Sequence, residues 1–165
     1  MKITKELQID MGHCVPTQAN EGGTPGPCTS YHGHRYRLII TVDDKVIADD
    51  QRNGGMVIDF RDLKKAMMET IHDKYDHAFV LWEGDPTVNL FFELAKLKPY
   101  PDRHFAVPYV PTAENLAKAW FVELDTELRG KYKIDLKALE VFETPTSSAI
   151  YTRENLEEDK RKESN

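Results

Sequence analysis

The chain is short of cysteine, of surplus basic charge and of long apolar runs, and each shortage excludes a class of protein. Of its 165 residues, two are cysteine, Cys14 and Cys28. Two are too few for a disulfide scaffold. They could pair across the loop between them, but in a reducing compartment a thiol with a chemical task is the better reading. Lys and Arg number 22 against 28 Asp and Glu, a formal charge of −6. That argues against general nucleic-acid binding, which needs a basic face. No run approaches the roughly 18–20 apolar residues of a membrane span. The opening MKITKELQID lacks the apolar region of a signal peptide, so the expected location is the cytoplasm.

What is present suits one domain with a real core. Residues 1–153 are read as that domain, and 154–165 as a polar tail that frays. Residues 3–13 read as a strand, with Ile3, Leu7, Ile9, Met11 and His13 on one parity. A Gly/Pro loop over 14–31 leads to a second strand over 32–46. The turn NGG (53–55) and a short return strand, MVID (56–59), come next. A helix over 60–74 carries the stripe Phe60, Leu63, Met67 and Ile71, with Asp59 as its N-cap. Residues 83–111, with five prolines, read as irregular apart from a short helix near 88–97. A second long helix over 113–129 is capped by Thr112 and ended by Gly130. Closing strands are expected at 136–143 and 147–153. Segregated strands and helices imply an α+β fold: an antiparallel four-stranded sheet with two helices on one face.

Chemistry concentrates in CTSYHGHRYRLIITV (28–42). Residues i and i+2 of a strand share a face, so His32 and His34 project together. His13 ends the apolar face of the neighbouring strand. Three His ligands with an open fourth position form the pattern of a catalytic zinc site. The plainer alternative is half-buried histidines without a metal, and for the HxH pair alone the two weigh about equally. Cys28 sits beside this strand, where a nearby cation or imidazole can lower a thiol pKa. The adjacent Cys14 competes for that role, but its parity is opposite to that of His13. Asp76 next to His77 can orient a ring and raise its basicity; the alternative is a solvated turn. Leu139, Val141 and Glu143 share one parity, and an apolar face ending in a carboxylate needs a partner. That partner is either a heterocycle with adjacent NH and NH2 groups or an internal Lys or Arg. Arg35 and Arg37 have the opposite parity to the histidines and face away from them.

Together, His13, CTSYHGH, MVIDF, YDH, PTAENLA and ETPTSSAIY resemble the 6-pyruvoyl-tetrahydropterin synthase / 6-carboxytetrahydropterin synthase family. They occur in that family's order up to about residue 153. The resemblance implies a tunnelling fold whose subunits join into a barrel. Members are typically homohexamers with active sites between subunits. It implies Zn2+ on His13, His32 and His34, a catalytic group of Cys28, Asp76 and His77, and Glu143 as the pterin anchor. The implied substrate is 7,8-dihydroneopterin triphosphate. The three residues between Cys28 and His32 resemble the bacterial carboxy-forming enzymes of queuosine synthesis. Those release acetaldehyde and triphosphate and leave 6-carboxy-5,6,7,8-tetrahydropterin. The pyruvoyl-forming enzymes usually have a longer gap, and they are the alternative, with a non-catalytic pterin- or purine-binding zinc module behind them. A third branch has Glu where Cys28 stands; Glu21 keeps that point open. The departures are Met11 and Gly12 before the first His motif, and a longer 83–111 loop.

Overall fold

A computed structural model describes residues 1–20, 22–44, 54–99 and 103–164. Its centre is a hairpin of two twelve-residue strands, β1 (Lys2–His13) and β2 (His32–Asp43). Burial alternates along both, as a sheet with one covered face requires. Ile9, Met11, Tyr36, Leu38, Ile40 and Val42 are buried on that face. A helical run then packs onto it, from α1 (Phe60–Met67) through a π turn (Met68–His72) to α2 (Asp73–Tyr75). Asp59 caps its start by accepting from Arg61 N. After β3 (Phe79–Trp82), α3 (Val88–Lys96) and β4 (His104–Val107) comes α4 (Ala113–Glu127). Thr112 caps α4. β5 (Leu136–Thr144), β6 (Ser147–Thr152) and α5 (Arg153–Glu163) complete the chain.

The sheet order is β4-β3-β1-β2-β5-β6. β1, β2, β5 and β6 pair antiparallel, while β3 and β4 join parallel beside β1. The expected four-stranded antiparallel sheet is therefore a mixed sheet of six. The two extra strands have four residues each, too short for an alternation to stand out. The two long helices do share one sheet face. Leu63, Met67 and Ile71 join Trp120, Phe121 and Leu124 in one core with Leu38, Leu139 and Val141. Each such side chain contributes about 1.5–3 kcal/mol by leaving water.

Other expectations shift. MVID is not a strand: Val57 and Ile58 are neighbours, yet both are buried, which an alternating strand forbids. Of the NGG turn, Gly54 and Gly55 turn the chain, Gly55 at φ 83°, and Asn53 lies outside the described residues. β2 ends at Asp43; positions 45 and 46 of its expected span lie outside them too, as does Glu21. The helical run of α4 does not stop at Gly130 but continues through a π turn (Leu128–Tyr132), and Lys133 takes the left-handed conformation at φ 60°. The tail is helix α5, started by a capping box between Thr152 and Asn155. No described helix is long and apolar enough to cross a membrane.

Candidate metal centre and active site

The hairpin register builds the metal site. His13 stands opposite His32, and Met11 opposite His34, so all three imidazoles reach the helix-covered face at one end of the sheet. Their ring centroids lie 4.6, 5.3 and 4.9 Å apart. One ligand atom from each falls within 4.8 Å of the others. Between them Gly12 pairs with Gly33. A Cβ on Gly12 would come within 2.4 Å of the Phe79 ring, so β3 can lie against β1 only because that position is bare.

Two rings are held by backbone. Nδ1 of His13 is 2.6 Å from the Pro111 carbonyl, and Nδ1 of His32 is 2.7 Å from that of Ser30. A carbonyl only accepts, so both Nδ1 atoms carry the proton and both Nε2 atoms keep a lone pair. Nε2 of His34 is buried with no hydrogen-bond partner. Burial lowers the pKa of His13 and of His34, which keeps both neutral, the form a metal needs. A buried imidazole nitrogen without a partner, beside two oriented ones, fits a three-His metal site.

The thiols separate cleanly. Cys14 is buried among Leu81 and Val88 and donates to Asp85 Oδ2 at 3.6 Å. Burial, then the Asp85 charge, pushes it up to about 11. A thiol held protonated in the core is no nucleophile. Cys28 lies in the short 3-10 turn Pro27–Thr29 and is half-buried. It lines a pocket of about 230 Å³ with Gln18, Thr112, Glu114, Glu143 and Ser148.

Glu143 ends the covered face of β5 as its parity implies. Its Oε1 is 3.5 Å from His13 Nε2 and accepts from the Tyr36 hydroxyl at 3.4 Å. Among the described residues no Lys or Arg pairs with it; its partners there are His13 and Tyr36. Burial, then the Glu143 charge, raises the Tyr36 phenol far above its usual range, so it serves here as a donor.

Asp76 and His77 sit elsewhere. His77 is at φ 57° with its side chain 74 % exposed, and its Nδ1 is 2.7 Å from Asp76 Oδ2. Asp76 Oδ1 accepts from Asp10 N at 2.9 Å. Burial raises the Asp76 carboxyl, but the Asp10 N–H and His77 outweigh it and hold it below its usual range. His77 borders a groove with Asp10, Gly12, Arg35 and the cluster member His34, but this groove shares no lining residue with the Cys28 pocket. A third groove, of about 610 Å³, touches Glu143 on one side and His34 and Arg35 on the other. It opens because β2 and β5 pair only from Arg37 and Phe142 inward. Arg35 and Arg37 do face away from the histidines, pairing with Asp10 and Glu6.

Comparison with known proteins decides the family. The family model described as 6-pyruvoyl tetrahydropterin synthase matches residues 2–154. The chain belongs to that family. A family relative from Haemophilus influenzae, named 6-carboxy-5,6,7,8-tetrahydropterin synthase, is 32 % identical over 151 residues, 91 % of this chain and 97 % of its own. One of the same name from Aquifex aeolicus is 29 % identical, covering 93 % and 98 %. The fold is shared with an uncharacterized Wolinella succinogenes protein at TM-score 0.74 and 23 % identity, covering 93 % and 98 %. It is shared also with the Caenorhabditis elegans 6-pyruvoyl tetrahydropterin synthase at TM-score 0.62 and 23 % identity, covering 92 % and 94 %.

Within this tetrahydropterin synthase fold, sequence reasoning passed over Tyr36, Gln18 and Glu114. Tyr36 was findable, since it continues the parity of His32 and His34. Gln18 was not, because a loop glutamine carries no periodic signal.

Proposed function

We propose that the chain is a zinc-dependent 6-carboxytetrahydropterin synthase acting on 7,8-dihydroneopterin triphosphate. The observation that carries this reading is the meeting of Cys28 and Glu143 in one pocket, with Glu143 3.5 Å from a member of the three-His cluster. Pterin binding alone needs the carboxylate but not a thiol. The relatives named for the carboxy-forming reaction, at 26–32 % identity, favour that branch.

His13, His32 and His34 would hold a zinc ion, which when bound would supply Lewis acidity toward the substrate's side-chain hydroxyls. Glu143 accepts from adjacent N–H groups of the pterin edge and so sets the ring's orientation. Cys28 moves a proton at the side chain. His77, its Nδ1–H directed at Asp76, offers Nε2 as the second acid/base. His77 is exposed and off the Cys28 pocket, which supports a second reading of the assembly. We place it in the active site of a neighbouring copy, within a barrel-forming homohexamer.

Incubation of zinc-loaded protein with 7,8-dihydroneopterin triphosphate tests the reaction. Acetaldehyde, triphosphate and 6-carboxy-5,6,7,8-tetrahydropterin are the expected products. A pyruvoyl pterin without acetaldehyde moves the chain to the sister activity, and binding without triphosphate release removes the enzyme reading. Mixing Cys28→Ala with His77→Ala protein tests the assembly. Restored activity is expected, and none would place both groups in one chain's site.

A further inference from the structure

The turn that carries Cys28 is held from within by the Thr29 hydroxyl, which donates to the Gly26 carbonyl at 2.8 Å, and from outside by Gln18, a side chain that the reaction does not call for. Gln18 Oε1 accepts the Cys28 backbone N–H at 2.8 Å. A backbone N–H only donates, so the carboxamide must present its oxygen there and its Nε2 elsewhere. The other backbone group of Cys28, its carbonyl, accepts from Val15 N at 2.7 Å. Gln18 also takes part through its main chain, its carbonyl accepting from Gly26 N at 3.2 Å. Gln18 and Cys28 line the same pocket as Glu143.

A second observation points to the same contact. Gly26 sits at φ −79°, ψ 168°, a conformation open to any residue. It is glycine for space: a Cβ there would fall 2.2 Å from Gln18 Oε1. The bare position lets the carboxamide lie across the loop and reach Cys28.

We propose that Gln18 is a positioning residue, fixing the Cys28 turn so that the thiol stays in register with Glu143. The proposal rests on the reading of Cys28 as a group that acts on substrate. A thiol displaced by about 1 Å loses on the order of 100-fold in rate, whereas the ring anchor at Glu143 is untouched. Gln18→Leu should therefore lower kcat by about 10- to 100-fold while KM changes little. Gln18→Glu keeps an oxygen at the same reach and should hold the Cys28 turn, recovering part of kcat, with the optimum moved to higher pH because the added carboxylate raises the thiol. Gly26→Ala displaces Gln18 without altering its chemistry and should match Gln18→Leu. The double variant Gly26→Ala/Gln18→Leu should lose no more than either single one.

The experiment is steady-state turnover of 7,8-dihydroneopterin triphosphate by the zinc-loaded variants, with amide hydrogen exchange at Cys28 measured alongside. Faster exchange in Gln18→Leu and Gly26→Ala, but not in Gln18→Glu, is expected to accompany the kcat loss. If Cys28→Ala is inactive while Gln18→Leu keeps the wild-type kcat and Cys28 exchange, the proposal fails and the reading of the thiol stands. If wild type does not turn over, or Cys28→Ala turns over like wild type, that reading fails and takes the proposal with it.

Discussion

Two polar clusters lie against the same sheet, one buried and one half-buried, and their hydrogen bonds are completed to different degrees. At one end, Arg153 makes a bidentate pair with Asp125, and its Nε and Nη2 also reach the Leu136 carbonyl. Asp125 Oδ1 accepts from Leu136 N at 3.0 Å. Four of the five guanidinium N–H groups and both carboxylate oxygens have a protein partner. At the other end, His13 and His32 are fixed through Nδ1, while His34 Nε2 is buried with none. A closed cluster has nothing left to offer a ligand, so its role is to hold α5 to α4 and β5. An open one carries a standing desolvation cost of about 1–3 kcal/mol per orphan group, which a bound metal would remove.

That contrast can be broken from the closed side first. Arg153→Met leaves Asp125 buried without its cation and should destabilise the fold by about 3–5 kcal/mol, read from urea unfolding, with zinc content per chain unchanged. Replacing both partners by apolar residues should recover much of this. Recovery stays incomplete, because Leu136 N is then left unpaired. From the open side, His34→Ala should lower zinc affinity by more than about 100-fold, beyond what loss of an outer hydrogen bond costs. It should leave the stability of the metal-free protein nearly unchanged, because the desolvation cost it relieves is offset by the lost packing of the ring against His13, His32 and Tyr36. Zinc bound by His34→Ala as tightly as by wild type would remove the open site.

The open cluster was legible in the sequence and the closed one was not. His13, His32 and His34 declare themselves through strand parity, and Glu143 through the parity of Leu139 and Val141. Arg153 and Asp125 carry no such pattern: one stands last in the expected strand 147–153, just before a segment whose composition reads as a solvated tail, and the other lies inside a helix stripe. Helix α5 was missed for the same reason. Its few burials, Leu156 among them, do not make a stripe, and its start depends on a cap. β3 (79–82) falls between the first helix and the proline-containing stretch, and β4 (104–107) inside that stretch, where four-residue runs look like loop. The separation of His77 from Cys28 within the chain depends on which sheet face each turn leaves from, which parity in one strand cannot supply.

Acid should sharpen the comparison further. The folded protein holds His13 and His34 below their ordinary value of 6.5. As pH falls, the unfolded chain therefore takes up those protons first. Stability of the metal-free protein is full above about pH 6.5 and falls as pH drops toward the lowered folded values. Zinc is released in the same direction, because protonated imidazole is no ligand. His34→Ala should therefore flatten the decline below pH 6.5, whereas Arg153→Met should lower stability across the range.

The smallest effect tests how the closed cluster is held in place. Thr152 accepts from Asn155 N, and Asn155 Oδ1 returns the bond to Thr152 N at 3.0 Å. This box starts α5 at the residue whose guanidinium enters the core. Thr152→Ala should cost about 1 kcal/mol in urea unfolding, and Thr152→Ser should cost less because it keeps the acceptor. Neither should alter zinc content. A loss in Thr152→Ala as large as that in Arg153→Met would mean that the cap, and not the buried pair, holds α5 against the sheet.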